Sequence, residues 1–172
     1  YLGADVFDGV TRHSGAALLI DGDVVRGVVA LPDIPTDASR IDLQDGILLP
    51  GFVDLQANGG GGVMFNDAPT LDTLRRMADA HWATGTRAVL PTLITDTPDT
   101  VQAAINAVEA AIAENVQGII GLHLEGPHLS VAKKGAHAPD LIRPMTDADE
   151  ALLCDAAARL PNLLITVAPE SV

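Results

Sequence analysis

The chain has 172 residues, 48% of them hydrophobic, so it can bury a substantial core as one domain or slightly more. The formal net charge is −13, with 10 Lys and Arg against 23 Asp and Glu. This balance argues against a nucleic acid or an anionic membrane as partner, because either would need a basic surface. No run approaches the roughly 20 apolar residues of a membrane span.

The single cysteine, Cys154, excludes an intrachain disulfide framework and fits a reducing compartment, so we expect a cytoplasmic protein. Cys154 falls in a helical pattern with Leu152, Leu153 and Ala156. We therefore expect it to be a small buried side chain rather than a reactive thiol.

Residues 1–49 have the pattern of short strands joined by turns, which predicts a small β unit. The segments AALLI (residues 16–20) and VVRGVV (residues 24–29) flank Asp21-Gly22-Asp23. Two apolar runs around a glycine-containing turn are typical of a β-hairpin.

From residue 50 to residue 172 the pattern becomes an alternation of strands and helices. Thr70, Thr97 and Thr146 each precede an amphipathic run, which predicts three N-capped helices. Repeated strand–helix units imply parallel strands with right-handed crossovers. The predicted strands are Gly51 to Gln56, Arg87 to Thr92, Gly118 to Glu125, and Leu163 to Ala168.

Polar side chains share one parity in these strands and gather toward the carboxyl ends, while apolar side chains have the other parity. A β/α barrel needs this arrangement, with apolar groups outward under the helices and polar groups inward at the catalytic mouth. A complete barrel takes about 250 residues. We therefore predict the first four strand–helix units of an α/β (β/α)8 TIM barrel; a doubly wound open sheet explains the polar parity less well.

Glu125 is the residue with the clearest chemical potential, since it ends a buried strand at the edge where α/β enzymes keep their working groups. Its carboxylate could bind a metal ion, or it could be an ordinary barrel-mouth carboxylate held by an ion pair. No His-x-Glu-x-x-His helix or Cys-x-x-Cys pair completes a metal site. On the residues alone the two interpretations of Glu125 remain open.

Other polar residues near the predicted strand ends carry weaker signals. Gln56 and Asn58 have metal-ligand spacing, yet amides are weak ligands beside imidazoles. The glycine run at residues 59–62 is too poorly framed for a nucleotide-binding motif and is expected to be a flexible turn. His137 could polarise a carbonyl or bind an anion, although a surface histidine is the simpler interpretation. His123 is expected to be a satisfied interior residue.

Several separate blocks of the sequence resemble one family. They are LPGFVDLQANG (residues 49–59), GGVMFND (61–67), PTLIT (91–95), HLEGP (123–127), KKGAH (133–137) and VAPE (167–170). Together they closely resemble the N-acetylglucosamine-6-phosphate deacetylases of the amidohydrolase superfamily. The resemblance implies an amidohydrolase-type barrel over residues 50–172. It also implies that residues 1–49 form a small N-terminal β-sandwich-like domain, which would be incomplete without C-terminal strands.

The resemblance also implies an activity and roles for individual residues. The reaction would be hydrolysis of the acetamide of N-acetylglucosamine 6-phosphate to glucosamine 6-phosphate and acetate, in amino-sugar catabolism. Glu125 matches the family's metal-binding glutamate, and Ala136 and His137 match a substrate-contacting pair. The family's catalytic aspartate, two histidine ligands and phosphate-binding arginine would lie beyond Val172. The family further suggests a homodimer or a larger homo-oligomer such as a tetramer.

The expected cofactor is one divalent metal ion, most simply Zn, with Fe, Co or Mn as alternatives. In the wider superfamily a His-x-His pair on the first strand commonly binds a second metal, and Gln56 and Asn58 stand at those positions here. Replacing two imidazoles by neutral amides favours one metal over two, which makes this a vestigial second-metal position.

Two further interpretations stay open. The first is another amidohydrolase, such as a deacylase or a dihydroorotase-like hydrolase, because the barrel opening alone would allow it. The second is a non-catalytic fragment or binding scaffold, since most of the expected metal ligands are not among residues 1–172. We expect this segment alone to lack deacetylase activity.

Overall fold

Short β-strands build the first of two units into which the chain divides, Tyr1–Pro50 and Gly51–Val172. The structure is a computed structural model that describes residues 1–172. The strands of this unit are β1 Asp5–Phe7, β2 Arg12–His13, β3 Ala16–Asp21, β4 Val24–Ala30 and β5 Ile47–Leu48. Three of them form a sheet of order β2-β1-β5, with β2 antiparallel and β5 parallel to β1. β3 and β4 form a separate antiparallel pair.

The β3–β4 pair confirms the predicted hairpin. Asp21 lies opposite Val24, and Gly22 occupies the turn with a φ of 58°, a left-handed conformation that glycine adopts without a steric penalty. Ala4, Val6 and Ala17 are the buried apolar residues of this unit, so its core is small.

A four-stranded parallel sheet organises the second unit. The strands of this unit are β6 Phe52–Ala57, β7 Gly59–Gly60, β8 Val63–Met64, β9 Thr86–Ile94, β10 Leu122–Glu125 and β11 Leu163–Thr166. The parallel sheet has the order β11-β10-β9-β6 and confirms the predicted α/β class with parallel strands. β7 and β8 form a two-stranded hairpin directly after β6.

Three helices connect the strands, and each begins at the threonine that the sequence indicates. Thr70 and Thr97 accept hydrogen bonds from backbone amides three residues later, and Thr146 forms a complete capping box with Asp149. The helices are α1 Leu71–Ala83, α2 Pro98–Ala113 and α3 Asp147–Arg159. None of these three helices combines the length and the hydrophobicity of a membrane span.

The apolar core of the second unit lies between the helices and one face of the sheet. Leu122 and Leu124 of β10 are almost fully buried there against α2, whose Ile105 and Val108 are completely buried. Since successive side chains of a strand alternate between faces, this packing leaves His123 and Glu125 on the opposite face. On β10 the helix-free face therefore carries the polar residues.

Two local predictions are wrong. β10 begins at Leu122 rather than Gly118, because residues 118–121 join the sheet only through an isolated bridge between Ile119 and Val89. Cys154 is exposed rather than buried. It shares a face of α3 with Ala151 and Asp155, which are also exposed, whereas Ala156 marks the buried face.

Candidate functional site

Glu125 stands at the last position of β10, where the parallel strand gives way to Gly126 and Pro127. Its carboxylate oxygen Oε2 accepts a hydrogen bond of 3.1 Å from the side-chain amide of Gln56 at the far end of β6. β9 lies between these two strands in the sheet, so the contact reaches across its carboxyl end. The Gln56 amide thus binds Oε2 of Glu125 and makes no hydrogen bond to Oε1.

His137 approaches the second oxygen of Glu125 from the long loop between β10 and α3. Its Nε2 lies 3.7 Å from Oε1 of Glu125, which is beyond hydrogen-bond distance. No lysine or arginine lies within 4 Å of this carboxylate. The one ionic partner within this distance is His137, and only when its ring is protonated, so both interpretations of Glu125 stay open.

Thr95 holds the His137 ring from its other side. The hydroxyl Oγ1 of Thr95 lies 2.8 Å from Nδ1 of His137, and the Thr95 backbone N–H donates to the same nitrogen at 3.4 Å. The hydroxyl also lies 3.3 Å from the backbone oxygen of Glu125. Three elements of the site, the end of β9, the end of β10 and the loop, therefore meet at one threonine.

His123 lies one layer below Glu125 on the same face of the sheet and is buried. Its Nδ1 contacts the Thr92 hydroxyl at 3.1 Å, and its Nε2 contacts the Thr166 hydroxyl at 2.8 Å, so the ring bridges β9, β10 and β11. Burial lowers the pKa of His123, against a smaller opposing effect of the Glu125 charge. A neutral, fully satisfied histidine agrees with the structural role predicted from the sequence.

A cleft of about 440 Å³ opens above Glu125 and His137, a volume in the range of small-molecule sites. Lys133 and Glu170 also line it, as does the β11 end from Thr166 onward. A larger opening of about 550 Å³ in the first unit is lined mostly by apolar side chains. The smaller cleft is the better candidate for chemistry because its polar groups converge.

The loop that carries His137 is tied down at both ends. The Arg143 N–H donates to the carbonyl oxygen of Pro127, and His128 contacts the Arg143 carbonyl oxygen through Nδ1 at 3.1 Å. The Arg143 guanidinium makes a two-point ion pair with Asp149 of α3, with distances of 2.5 and 2.6 Å. This pairing holds the pKa of Asp149 well below its ordinary value. His128, given no role from the sequence, is therefore a buried brace of the loop.

The glycine run after β6 differs from the expected flexible turn. It forms the β7–β8 hairpin, and two side chains of α1 fix its backbone oxygens: Arg76 donates to Gly61, and His81 Nε2 lies 3.0 Å from the oxygen of Gly59. A side chain at Gly59 would collide with the backbone of Val63. The glycines permit close packing between the hairpin and α1. Their backbone oxygens are bound by side chains of α1, which is not the arrangement of a phosphate-binding loop.

The residues of this chain do not by themselves form a metal-binding cluster. No group of three or more His, Cys, Asp or Glu side chains converges to hold a metal ion. Gln56 and Glu125 come together, whereas Asn58 begins the glycine hairpin and accepts a hydrogen bond from the Phe65 N–H through its backbone oxygen. Ala136 is exposed beside His137 and does not line the cleft.

Comparison with known proteins identifies the family. The amidohydrolase family model matches residues 47–161, which include three of the four parallel strands, β6, β9 and β10, and the Glu125–His137 pair. The chain belongs to the amidohydrolase family. Its fold also resembles the crystal structure of N-acetylglucosamine-6-phosphate deacetylase from Pasteurella multocida, with a TM-score of 0.88 and 36% identity over 99% of this chain and 44% of that one.

Two curated relatives of this amidohydrolase act on different sugars. N-acetylgalactosamine-6-phosphate deacetylase of Shewanella sp. (strain ANA-3) is 52% identical over 79% of this chain and 34% of its own length. N-acetylglucosamine-6-phosphate deacetylase of Haemophilus influenzae is 37% identical over 81% of this chain and 36% of its own length. The chain spans about a third of the length of these relatives.

Sequence reasoning missed two residues of the candidate site, Thr95 and Lys133. Thr95 directly follows β9, so the rule that singled out Glu125 at a strand end applies to it equally. Lys133 belongs to the short 3-10 helix Val131–Lys133. Its place in the cleft depends on the path of a loop, for which the sequence has no signal.

Proposed function

We propose that the whole protein hydrolyses the acetamide of N-acetylglucosamine 6-phosphate, releasing acetate and glucosamine 6-phosphate. The observation that carries this proposal is the Glu125 carboxylate, which is held by an amide on one oxygen and faces the His137 imidazole with the other. The likeness to deacetylases of both curated names supports the reaction class.

The parallel sheet of residues 50–172 is proposed to be the first half of a (β/α)8 barrel, with residues 1–49 as a small β domain. The rest of the barrel would come from the part of the relatives' length that this chain does not span. Glu125 and His137 would then stand at the carboxyl-end mouth, where barrel enzymes place catalysis.

The site suits a single divalent metal ion, and Glu125 is the residue of this chain that would hold it. A carboxylate oxygen without a lysine or arginine partner is a chemically suitable ligand for Zn, Fe, Co or Mn. Such an ion supplies Lewis acidity and lowers the pKa of a water molecule. The remaining ligands, proposed to be two histidines, would come from residues beyond 172.

His137 is proposed to bind the carbonyl oxygen of the acetamide. During hydrolysis a water oxygen adds to the carbonyl carbon, the carbon–nitrogen bond breaks, and a proton goes to the departing amine. Negative charge develops on the carbonyl oxygen before the bond breaks, and a hydrogen-bond donor at that point lowers the barrier. Ala136 is exposed beside His137 and does not line the cleft, so it is proposed to contact the part of the sugar that extends past His137. The aspartate expected beyond Val172 would transfer the proton.

A second candidate substrate is N-acetylgalactosamine 6-phosphate, the C4 epimer. The observation that favours it is the 52% identity to the relative named for that sugar, against 37% to the relative named for the gluco epimer. Both substrates have the same acetamide and phosphate, so residues that act on the acetamide do not distinguish them.

The test is a comparison of kcat/KM of the full-length protein on both 6-phosphates and on unphosphorylated N-acetylglucosamine, with acetate release as the readout. The proposal predicts turnover of at least one phosphorylated sugar and far weaker turnover of the free sugar. Turnover of acylated amino acids or of dihydroorotate instead would support another amidohydrolase. No hydrolysis of any substrate in the metal-loaded protein would support a scaffold.

A homo-oligomer, either a dimer or a tetramer, is the proposed assembly of the full-length protein. Analytical sedimentation of the same protein tests this proposal.

A further inference from the structure

We propose that Thr95 is a positioning residue that keeps the proton of neutral His137 on Nε2, so that the ring presents an N–H donor to the cleft. This inference rests on the proposed amide hydrolysis for its catalytic meaning. The hydrogen-bond geometry that carries it belongs to the chain itself.

Thr95 is placed to act on one ring nitrogen only. Thr95 is only 5% exposed and directly follows Ile94, the last residue of β9. The sheet rather than a loop therefore fixes its position. A side chain at Gly126 would approach the Thr95 hydroxyl to 2.2 Å. Glycine at that position therefore makes room for the hydroxyl beside Nδ1 of His137.

The location of the ring proton follows from which groups can donate. A backbone N–H has a proton and no lone pair, so the 3.4 Å contact from Thr95 requires a lone pair on Nδ1. The backbone N–H therefore places the ring proton of neutral His137 on Nε2. Nδ1 then has no proton to give the Thr95 hydroxyl, whose single proton is shared between Nδ1 at 2.8 Å and the Glu125 backbone oxygen at 3.3 Å.

Nε2 is the nitrogen that faces the chemistry. It lies 3.7 Å from Oε1 of Glu125 at the floor of the cleft. With the proton on Nε2, the imidazole offers a donor to the oxygen that becomes negative as the acetamide is attacked. With the proton on Nδ1, Nε2 would present a lone pair to that oxygen, which would repel it. Thr95 thus selects the tautomer that stabilises the transition state.

The test uses the full-length protein and three variants. Thr95→Val removes the hydroxyl at nearly constant volume, Thr95→Ser keeps it, and Thr84→Val is the matched control because the Thr84 hydroxyl bonds the His81 carbonyl oxygen outside the cleft. We expect Thr95→Val to lower kcat about 10- to 100-fold with little change in KM. This is the size of effect seen when a hydrogen-bond partner that fixes the tautomer and orientation of an active-site histidine is removed. Thr95→Ser should restore most of kcat, and Thr84→Val should match the parent.

A second readout is independent of turnover. In protein labelled with ¹⁵N-histidine, long-range ¹H–¹⁵N spectra distinguish the protonated ring nitrogen from the unprotonated one, and the His137→Asn variant assigns the signals. We expect the Nε2–H form of His137 in the parent and a mixture of tautomers in Thr95→Val. An Nδ1–H form in the parent would overturn the inference, as would an unchanged kcat in Thr95→Val or equal losses in the Ser and Val variants. If the parent hydrolyses neither sugar phosphate, the proposed function fails while the spectra still decide the tautomer.

Discussion

Asp149 connects the start of α3 to the loop that carries His137, so its replacement gives a sharp test of the architecture. Its Oδ2 accepts from both the backbone N–H of Thr146, at 2.9 Å, and the Thr146 hydroxyl, at 2.6 Å. The Arg143 guanidinium donates to both carboxylate oxygens. Asp149→Ala removes all of these contacts at once.

The expected loss of stability follows from these contacts. Loss of the capping interaction costs about 1 kcal/mol. The side chain of Asp149 is 14% exposed, but that of Arg143 is 35% exposed, so solvent screening limits their ion pair to about 1–2 kcal/mol even with good two-point geometry. We therefore expect Asp149→Ala to destabilise α3 and the adjoining loop by about 2–3 kcal/mol.

Native-state hydrogen exchange is the appropriate assay, because a chain of two units need not unfold in one step. The amides of Arg143 and Met145, which bond Pro127 and Ser171, should lose protection together with α3. Glu150→Ala is the matched control, since it removes an exposed first-turn charge without a side-chain partner. Equal protection in Asp149→Ala and Glu150→Ala would refute the reasoning.

The same carboxylate predicts a pH dependence with a definite sign. The Arg143 hydrogen bonds, followed by those of Thr146, depress the pKa of folded Asp149 below its ordinary value of 3.8. The stabilisation is therefore complete above pH 3.8 and is lost as the pH falls toward the folded pKa. The difference in stability between the parent and Asp149→Ala should shrink on acidification below this value.

Three further predictions concern the site. Glu125→Gln in the full-length protein should lower its metal content, measured by elemental analysis, together with acetate release; unchanged metal content would remove Glu125 from the ligand set. Gly126→Ala should cost at least about 1–2 kcal/mol in an unfolding titration, because its φ is +89° and its new methyl group would meet the Thr95 hydroxyl; equal stability would show that the two residues do not touch. Residues 1–172 purified alone should release no acetate, and measurable turnover by that segment would contradict the incomplete ligand set.

The helices could be predicted from the sequence because their signals are local. A threonine cap and the residues of the first turn lie within four positions of one another, and each of the three predicted caps forms. Which residues of a helix lie on its buried face is harder to predict, as Cys154 shows. Its neighbours Leu152 and Leu153 are apolar, yet a rotation of about 100° per residue places Cys154 beyond the edge of the narrow buried stripe.

The site could be predicted only in part, for a similar reason. Alternation along β10 separates Glu125 from the apolar core, which a sequence shows directly. The contact between Thr95 and His137 joins residues 42 positions apart and depends on the path of an irregular loop. The glycine hairpin is similar, because the α1 donors that fix it lie at least 15 residues along the chain.

The close approach of Gly126 to the Thr95 hydroxyl also limits how the site can diverge. A side chain at 126 would meet this hydroxyl, and the φ of +89° would strain any residue other than glycine there, whatever residue stands at 95. Glycine at 126 should therefore stay fixed in relatives that keep this turn after β10, while residue 95 can still change. Relatives that keep both should retain the same tautomer at the histidine equivalent to His137, whichever sugar epimer they hydrolyse. Substrate choice and proton placement would then be set by separate parts of the same cleft.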